Sequence, residues 1–272
     1  MGCADIKAGP HRELMGVNFT PRFFVFKDFC VNDTVVISGD DARHIIKVLR
    51  YKPGDELKLS NGKDTEAVAV VEEIDAKQII IKLKIIEKNK KPGIKPEITL
   101  FQSLLKGDKL DFILQKNTEI GVSKFRPIIT ERTIVELTQN KLLNRMQRWK
   151  KIAMEASKQC MRIDIPQILD VKGFDDSLKT VKDYDIAIIP WELENTCFIK
   201  DILVEAKNSN AESVAVFIGP EGGFSEEEIS KAKKFGAVPV SLGPRILRAE
   251  TAAIAVCTAI MYELGGMGGK DA

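Results

Sequence analysis

Between residues 22 and 87 apolar and polar positions alternate over short runs; beyond residue 98 solid apolar stretches take turns with stretches of helical spacing. In the first part, residues 23–26, 35–38, 56–60, 67–74 and 79–86 are rich in β-branched or aromatic residues and predict strands. One short helix is predicted over 40–50, where Ala42, Ile45, Ile46 and Leu49 fall at helical spacing. Asn61-Gly62 between two strand runs predicts a hairpin turn, and the whole reads as a small β-barrel. Residues 88–97 then hold two prolines, a glycine and four lysines, little of which can be buried, so a domain boundary is expected there. After it, strands at 98–102, 125–129, 186–190, 214–219 and 238–242 are expected to alternate with helices at 108–120, 142–160, 225–235 and 250–264. Such alternation implies an α/β fold, a mostly parallel sheet with helices on both faces. Ser225 and Glu228 form a capping box and Gly236 a stop for one of these helices. The expected organisation is an N-terminal extension over 1–20, a barrel over 21–90 and an α/β domain over 96–268.

Composition changes this picture little. A chain of 272 residues that is 44% hydrophobic and 29% charged can bury two cores. The net charge of +2 means that any affinity for nucleic acid has to come from local clustering. Five cysteines, odd in number and without a C-x-x-C pair, suggest neither a disulfide framework nor a metal site, and fit a reducing cytoplasm. No run approaches the roughly 18 apolar residues of a membrane span, so no membrane association is expected.

The sharpest chemistry lies in two loops. Ile218-Gly219-Pro220-Glu221-Gly222-Gly223-Phe224 follows an apolar strand and runs into the capped helix. A glycine-rich turn at the carboxyl end of a parallel strand is where open α/β sheets admit small ligands. Its spacing fits neither the dinucleotide fingerprint nor the phosphate loop, which counts against a nucleotide-dependent oxidoreductase. A tight turn needing glycine only for its dihedrals is the plainer explanation. The second loop, Leu242-Gly243-Pro244-Arg245-Ile246-Leu247-Arg248-Ala249-Glu250, leaves another strand through Gly-Pro and gathers three charges before an apolar helix. A surface pair between Arg248 and Glu250 would be the ordinary account of two of them.

Together the loops resemble the signature of the SPOUT-class methyltransferases, in particular the bacterial small-subunit rRNA uridine-N3 methyltransferase family. Arg22-Phe23-Phe24, His44 with Val48-Leu49-Arg50, Gln115-Lys116 with Glu119-Ile120-Gly121, and Glu155-Ala156 with Gln159, Arg162 and Pro166 extend the resemblance over both domains. It implies a PUA-like β-barrel joined to a trefoil-knotted catalytic domain, S-adenosylmethionine as cofactor, a homodimer, and ribosomal RNA or the small ribosomal subunit as partner. It further implies that Pro190, Ile218, Gly219, Pro220, Gly222, Gly223, Leu242, Gly243, Ile246 and Leu247 bind the cofactor, with Leu247 against the adenine. Arg248 and Glu250 are the implied catalytic pair.

Methylating a uracil nitrogen requires that its N3–H be lost, either to a carboxylate or with a cation stabilising the resulting anion. Arginine stays charged and cannot be the base, which suits Arg248 to the second task. Glu250 is the nearest carboxylate, although at a helix start it also suits the helix dipole. For RNA contact the candidates are Arg22, His44, Arg50, Lys116, Gln159 and Arg162. Glu155, Gln159 and Arg162 are spaced to share one helical face; Lys116 and Glu119 are spaced to pair with each other. A non-catalytic RNA-binding module with structural loops is the alternative reading.

Overall fold

A computed structural model of the chain describes residues 13–14, 17–18, 20–76, 80–90, 93, 95–134 and 138–267. Most of the expected N-terminal extension lies outside them; within it Glu13–Leu14 pairs antiparallel with Val17–Asn18. Two compact units emerge. One holds the described residues up to Gly93 together with Ser157–Asp164, the other Ile94–Ala156 and the residues from Ile165 onward.

The first unit is a five-stranded sheet of β1 (Arg22–Phe24), β2 (Thr34–Ser38), β3 (Glu56–Ser60), β4 (Thr65–Asp75) and β5 (Ile80–Lys90), in the order β1–β3–β4–β5–β2. Only β1 and β3 run parallel. Period-two alternation places Val35 and Ile37 of β2 inside and Thr34, Val36 and Ser38 outside. With Phe23, Leu57, Leu59, Ala69, Ile81, Leu83 and Ile85 they build one core. The helix expected at 40–50 divides: α1 (Gly39–Arg43) continues as a π-helix over His44–Leu49 and ends at Arg50 in the left-handed region, φ +57°. Ala42 and Ile45 are still buried, so the spacing served burial even where the hydrogen bonding widened. The Asn61-Gly62 turn is longer than a two-residue hairpin, spanning 61–64, because the Asn61 side chain organises it. Asn61 Oδ1 accepts the backbone N–H groups of Lys63, Asp64 and Thr65 at 2.9, 3.1 and 3.0 Å.

Residues 157–164 belong to this unit although the sequence places them deep in the second domain. Ser60 Oγ donates to the Ile163 carbonyl, Gly62 bridges Asp164 in parallel, and Lys158 Nζ meets Asp41 at 2.8 Å.

In the second unit β6 (Glu97–Ser103), β7 (Lys124–Ile129), β8 (Gln167–Ile168), β9 (Lys172–Gly173), β10 (Ile186–Pro190), β11 (Ser213–Ile218) and β12 (Val238–Val240) form one sheet. Its order is β8–β7–β6–β11–β10–β12 with β9 also on β7, and every pairing is parallel. Alternation along β6 and β11 sends Ile98, Leu100, Val214 and Val216 to one face, packed with α2 (Lys109–Ile120) and α7 (Ala249–Glu263). Phe101, Ala215 and Phe217 go to the other, packed with α4 (Phe174–Leu178) and α6 (Glu226–Lys234). The Phe101 and Phe217 rings stack with centroids 4.3 Å apart. Two further helices are α3 (Gln139–Gln159) and α5 (Ile199–Asn208); neither α4 nor α5 is among the helices expected from the sequence.

Candidate active site

The two glycine-proline loops come together because their strands lie close in one parallel sheet: β11 and β12 flank β10, and all three end on the same side. Their carboxyl ends bound a cavity of about 800 Å³. It is lined by the loop after β10 from Pro190, the loop after β11 from Ile218 to Phe224, and the loop after β12 through Glu250, so all ten residues implied for the cofactor and both implied catalytic residues line one space.

The β11 loop is held as a tight turn in which the Gly223 N–H donates to the Pro220 carbonyl at 3.0 Å. Gly223 adopts φ +68°, which side chains rarely tolerate, and a Cβ there would lie 2.5 Å from Glu192 Oε1. A Cβ on Gly219 would crowd the Phe224 ring at 3.2 Å. The glycines thus let the loop pack closely against Phe224, Arg132 and Glu192 while its backbone lines the cavity.

Neighbouring elements clamp this loop. Arg132 Nη1 donates to the Gly222 carbonyl at 2.8 Å, and Ser225 Oγ donates to Glu131 Oε2 at 2.6 Å. The expected capping box is present, Ser225 Oγ accepting from the Glu228 N–H and Glu228 Oε2 from the Ser225 N–H. Glu228 Oε1 also accepts the Glu131 N–H at 2.9 Å. Lys109 at the start of α2 donates to Glu221 Oε1 at 2.9 Å, and the Lys106 N–H reaches the same oxygen at 3.2 Å. Burial disfavours the charged Glu221 carboxylate, but the Lys109 and backbone hydrogen bonds outweigh it and hold its pKa below the usual carboxylate range. In the β10 loop Glu194 accepts from the Thr196 hydroxyl at 2.6 Å and from the N–H groups of Asn195, Thr196 and Cys197. These bonds, the Thr196 hydroxyl foremost, lower its pKa to about 2.

Arg248 and Glu250 do not pair with each other. Arg248 is the exposed N-cap residue of α7, and neither it nor Arg245 enters an ion pair among the described residues. Glu250 lies in the first turn of α7, and its Oε2 is buried without a hydrogen-bond partner in the structure. A buried, unsatisfied carboxylate oxygen at a cavity wall is costly unless something brings it a proton or a hydrogen bond. Ile246 is 87% exposed at the cavity rim, whereas Leu247 is partly buried.

The residues implied for RNA contact are dispersed. His44 and Arg50 are exposed in the first unit, His44 with its ring 6.4 Å from that of Phe23. Arg22 is buried there and ion-paired with Glu66. Lys116 donates to both oxygens of Glu119 at 2.9 and 3.1 Å, the pairing its spacing suggested. Gln159 is exposed at the last position of α3. The shared helical face expected for Glu155, Gln159 and Arg162 does not exist: Met161 turns left-handed at φ +62°, and Arg162 is buried beyond the helix, donating to Asp164. Sequence reasoning missed Lys109, Arg132, Glu192 and Glu194. Glu192 and Glu194 directly follow the strand ending at Pro190, which was a usable signal; Lys109 and Arg132 reach the site only through the fold.

The chain thus combines a β-sheet unit with a parallel α/β unit that carries a cavity at its strand ends, and both units match known families. The RNA methyltransferase domain family matches residues 93–261, and the RNA methyltransferase PUA domain matches residues 37–84. The ribosomal RNA small subunit methyltransferase E of Bacillus subtilis is 32% identical over 235 residues, covering 85% of this chain and 90% of that protein. Its counterpart in Rickettsia conorii is 31% identical, covering 86% and 91%. The crystal structure of the Neisseria gonorrhoeae protein of that name, bound to S-adenosylmethionine, superposes with a TM-score of 0.78 at 30% identity, covering 90% of this chain and 98% of that one. The chain belongs to the ribosomal RNA small subunit methyltransferase E family. Among the described residues no helix is long and apolar enough to cross a membrane.

Proposed function

We propose that this protein transfers a methyl group from S-adenosylmethionine to N3 of a uridine in small-subunit ribosomal RNA. The observation that carries the proposal is the cavity of about 800 Å³ in which the glycine loop around Gly219 and Gly223 meets Arg248 and Glu250. The S-adenosylmethionine in the Neisseria gonorrhoeae relative supports the choice of donor. Backbone groups of Ile218, Gly219, Leu242 and Gly243 would hold the adenosyl part, with Leu247 against the adenine and Pro190 lining the same cavity. When bound, the donor supplies an electrophilic methyl group on its sulfonium. Glu250, which lines the cavity and pairs with no cation among the described residues, accepts the uracil N3 proton on its carboxylate. Arg248 stabilises the negative charge that this leaves on the uracil oxygens.

The same reading makes the second unit a SPOUT-type domain with a trefoil knot, working as a homodimer. Tyr262 near the end of α7, 69% exposed on a helix rich in alanine and isoleucine, is a residue that a partner copy would cover. The first unit is the RNA-binding part, with exposed His44 and Arg50 toward phosphate, and the site of action is the cytoplasm, where small subunits are assembled.

The test is transfer of labelled methyl from S-adenosylmethionine to purified small subunits and to naked small-subunit RNA, followed by nucleoside digestion. The expected product is 3-methyluridine as the sole labelled nucleoside. Label in any other nucleoside would refute the assigned chemistry.

A further inference from the structure

Four carboxylates line the cavity, and three have partners or duties already described: Glu194 caps its own loop, Glu221 is tied to Lys109, and Glu250 stands at the start of α7. Glu192 is different. Two residues beyond β10, its carboxylate lies against the left-handed residue of the glycine loop: a Cβ on Gly223 would be 2.5 Å from Oε1 and 3.2 Å from both Cδ and Oε2. It enters no hydrogen bond and no ion pair among the described residues. The one lysine of the lining is already engaged by Glu221, and the two arginines sit on the other loop, after β12. Among the cavity's carboxylates Glu192 is therefore the one beside the glycine loop that has neither a cation nor a hydrogen-bond donor among the described residues, next to a residue whose φ of +68° favours glycine.

We propose that Glu192 is a specificity-determining residue of the donor site: its carboxylate reads the positive charge of the donor's sulfonium. The inference rests on the assignment of S-adenosylmethionine above. Donor and demethylated product share the adenosyl and amino-acid parts and differ only at sulfur, which carries a methyl and a full positive charge before transfer and is neutral afterwards. A sulfonium has no proton to donate, so a protein distinguishes it by Coulombic attraction to an unpaired carboxylate; Glu192 is exposed in the cavity, and a donor filling that cavity would displace water from it and strengthen the attraction. Methyl transfer then removes the charge Glu192 holds, and the product loses part of its binding in the same step.

Titration calorimetry of the full-length chain with S-adenosylmethionine and with S-adenosylhomocysteine tests this. Glu192→Gln, isosteric but uncharged, is expected to weaken donor binding on the order of tenfold, while product binding changes by about twofold or less. Glu192→Asp, which keeps the charge, is expected to preserve the preference for donor over product. Equal losses on both ligands, or no loss on either, would overturn the role of Glu192 while leaving the donor assignment intact. Binding of neither ligand by the unaltered chain would overturn the assignment itself. A second measurement needs no variant: raising ionic strength should weaken donor binding more steeply than product binding in the unaltered protein, and parallel declines would contradict the proposal.

Discussion

Arg248 and Glu250 stand two residues apart at the entrance of α7, unpaired with each other, and their chemistry separates them. A carboxylate can accept the N3 proton, whereas a permanent cation can only stabilise what remains. Glu250→Gln should therefore keep donor and RNA binding but lose most turnover, with activity recovering as rising pH ionises the uracil unaided. Arg248→Ala should slow transfer at every pH, since the missing stabilisation is needed whether or not the proton has left, by about 100-fold or more. Single-turnover assays at saturating donor and RNA read both, and near-normal turnover by Glu250→Gln at neutral pH would remove Glu250 as the base. Arg22 presents the opposite case, a residue whose type suggested phosphate contact but whose place is inside the first unit. Its side chain is 6% exposed and paired with Glu66, itself 11% exposed, with Lys58 Nζ 3.8 Å from the same carboxylate. Arg22→Ala leaves that carboxylate buried with only a distant lysine and should cost about 3–5 kcal/mol of stability, less whatever Lys58 recovers. Urea unfolding followed by circular dichroism measures it; an unchanged midpoint would mean that Arg22 contributes little to holding the fold.

At the scale of elements, the glycine loop is shaped from outside itself, by Arg132 on the Gly222 carbonyl and by Glu131 on the cap of α6. Arg132→Ala should lower donor affinity several-fold without changing the unfolding midpoint by more than a surface substitution does. Ser225→Ala removes a helix cap and its bond to Glu131, and should cost about 1 kcal/mol of stability. Calorimetry and urea titration separate the two, and unaltered donor affinity in Arg132→Ala would show that the loop holds its shape alone. The loop itself was readable in the sequence because glycine and proline announce the turn and Ser225 with Glu228 announces the helix. The clamp was not, since Arg132 and Glu131 stand about ninety residues away. The strands of both units were recognisable from alternation and apolar runs, but β8 and β9, two residues each, are too short to carry a period. Helix α5 carries Ile199, Ile202, Leu203 and Ala206 at helical spacing, a signal present in the chain. Arg162 shows the reverse error: a period of 3.6 was extended through a residue at which the backbone turns left-handed.

At the scale of the molecule, the donor cavity lies wholly in the second unit, whereas His44 and Arg50 belong to the first. The return of residues 157–164 to the first unit is a long-range pairing that no local pattern encodes. On the proposed function this division separates binding of donor from binding of RNA. Arg50→Glu should weaken RNA binding and reduce its salt dependence by about one counterion, with donor affinity unchanged. Filter binding across a salt series, alongside calorimetry with S-adenosylmethionine, checks this; an unchanged RNA affinity would take Arg50 out of the interface. The reaction itself is tested most directly by mass mapping of nucleosides in small-subunit ribosomal RNA from cells with and without this protein. One 3-methyluridine is expected to disappear with the gene and to return with the intact chain but not with the Glu250→Gln variant. An unchanged complement of modified nucleosides in the deleted cells would contradict it.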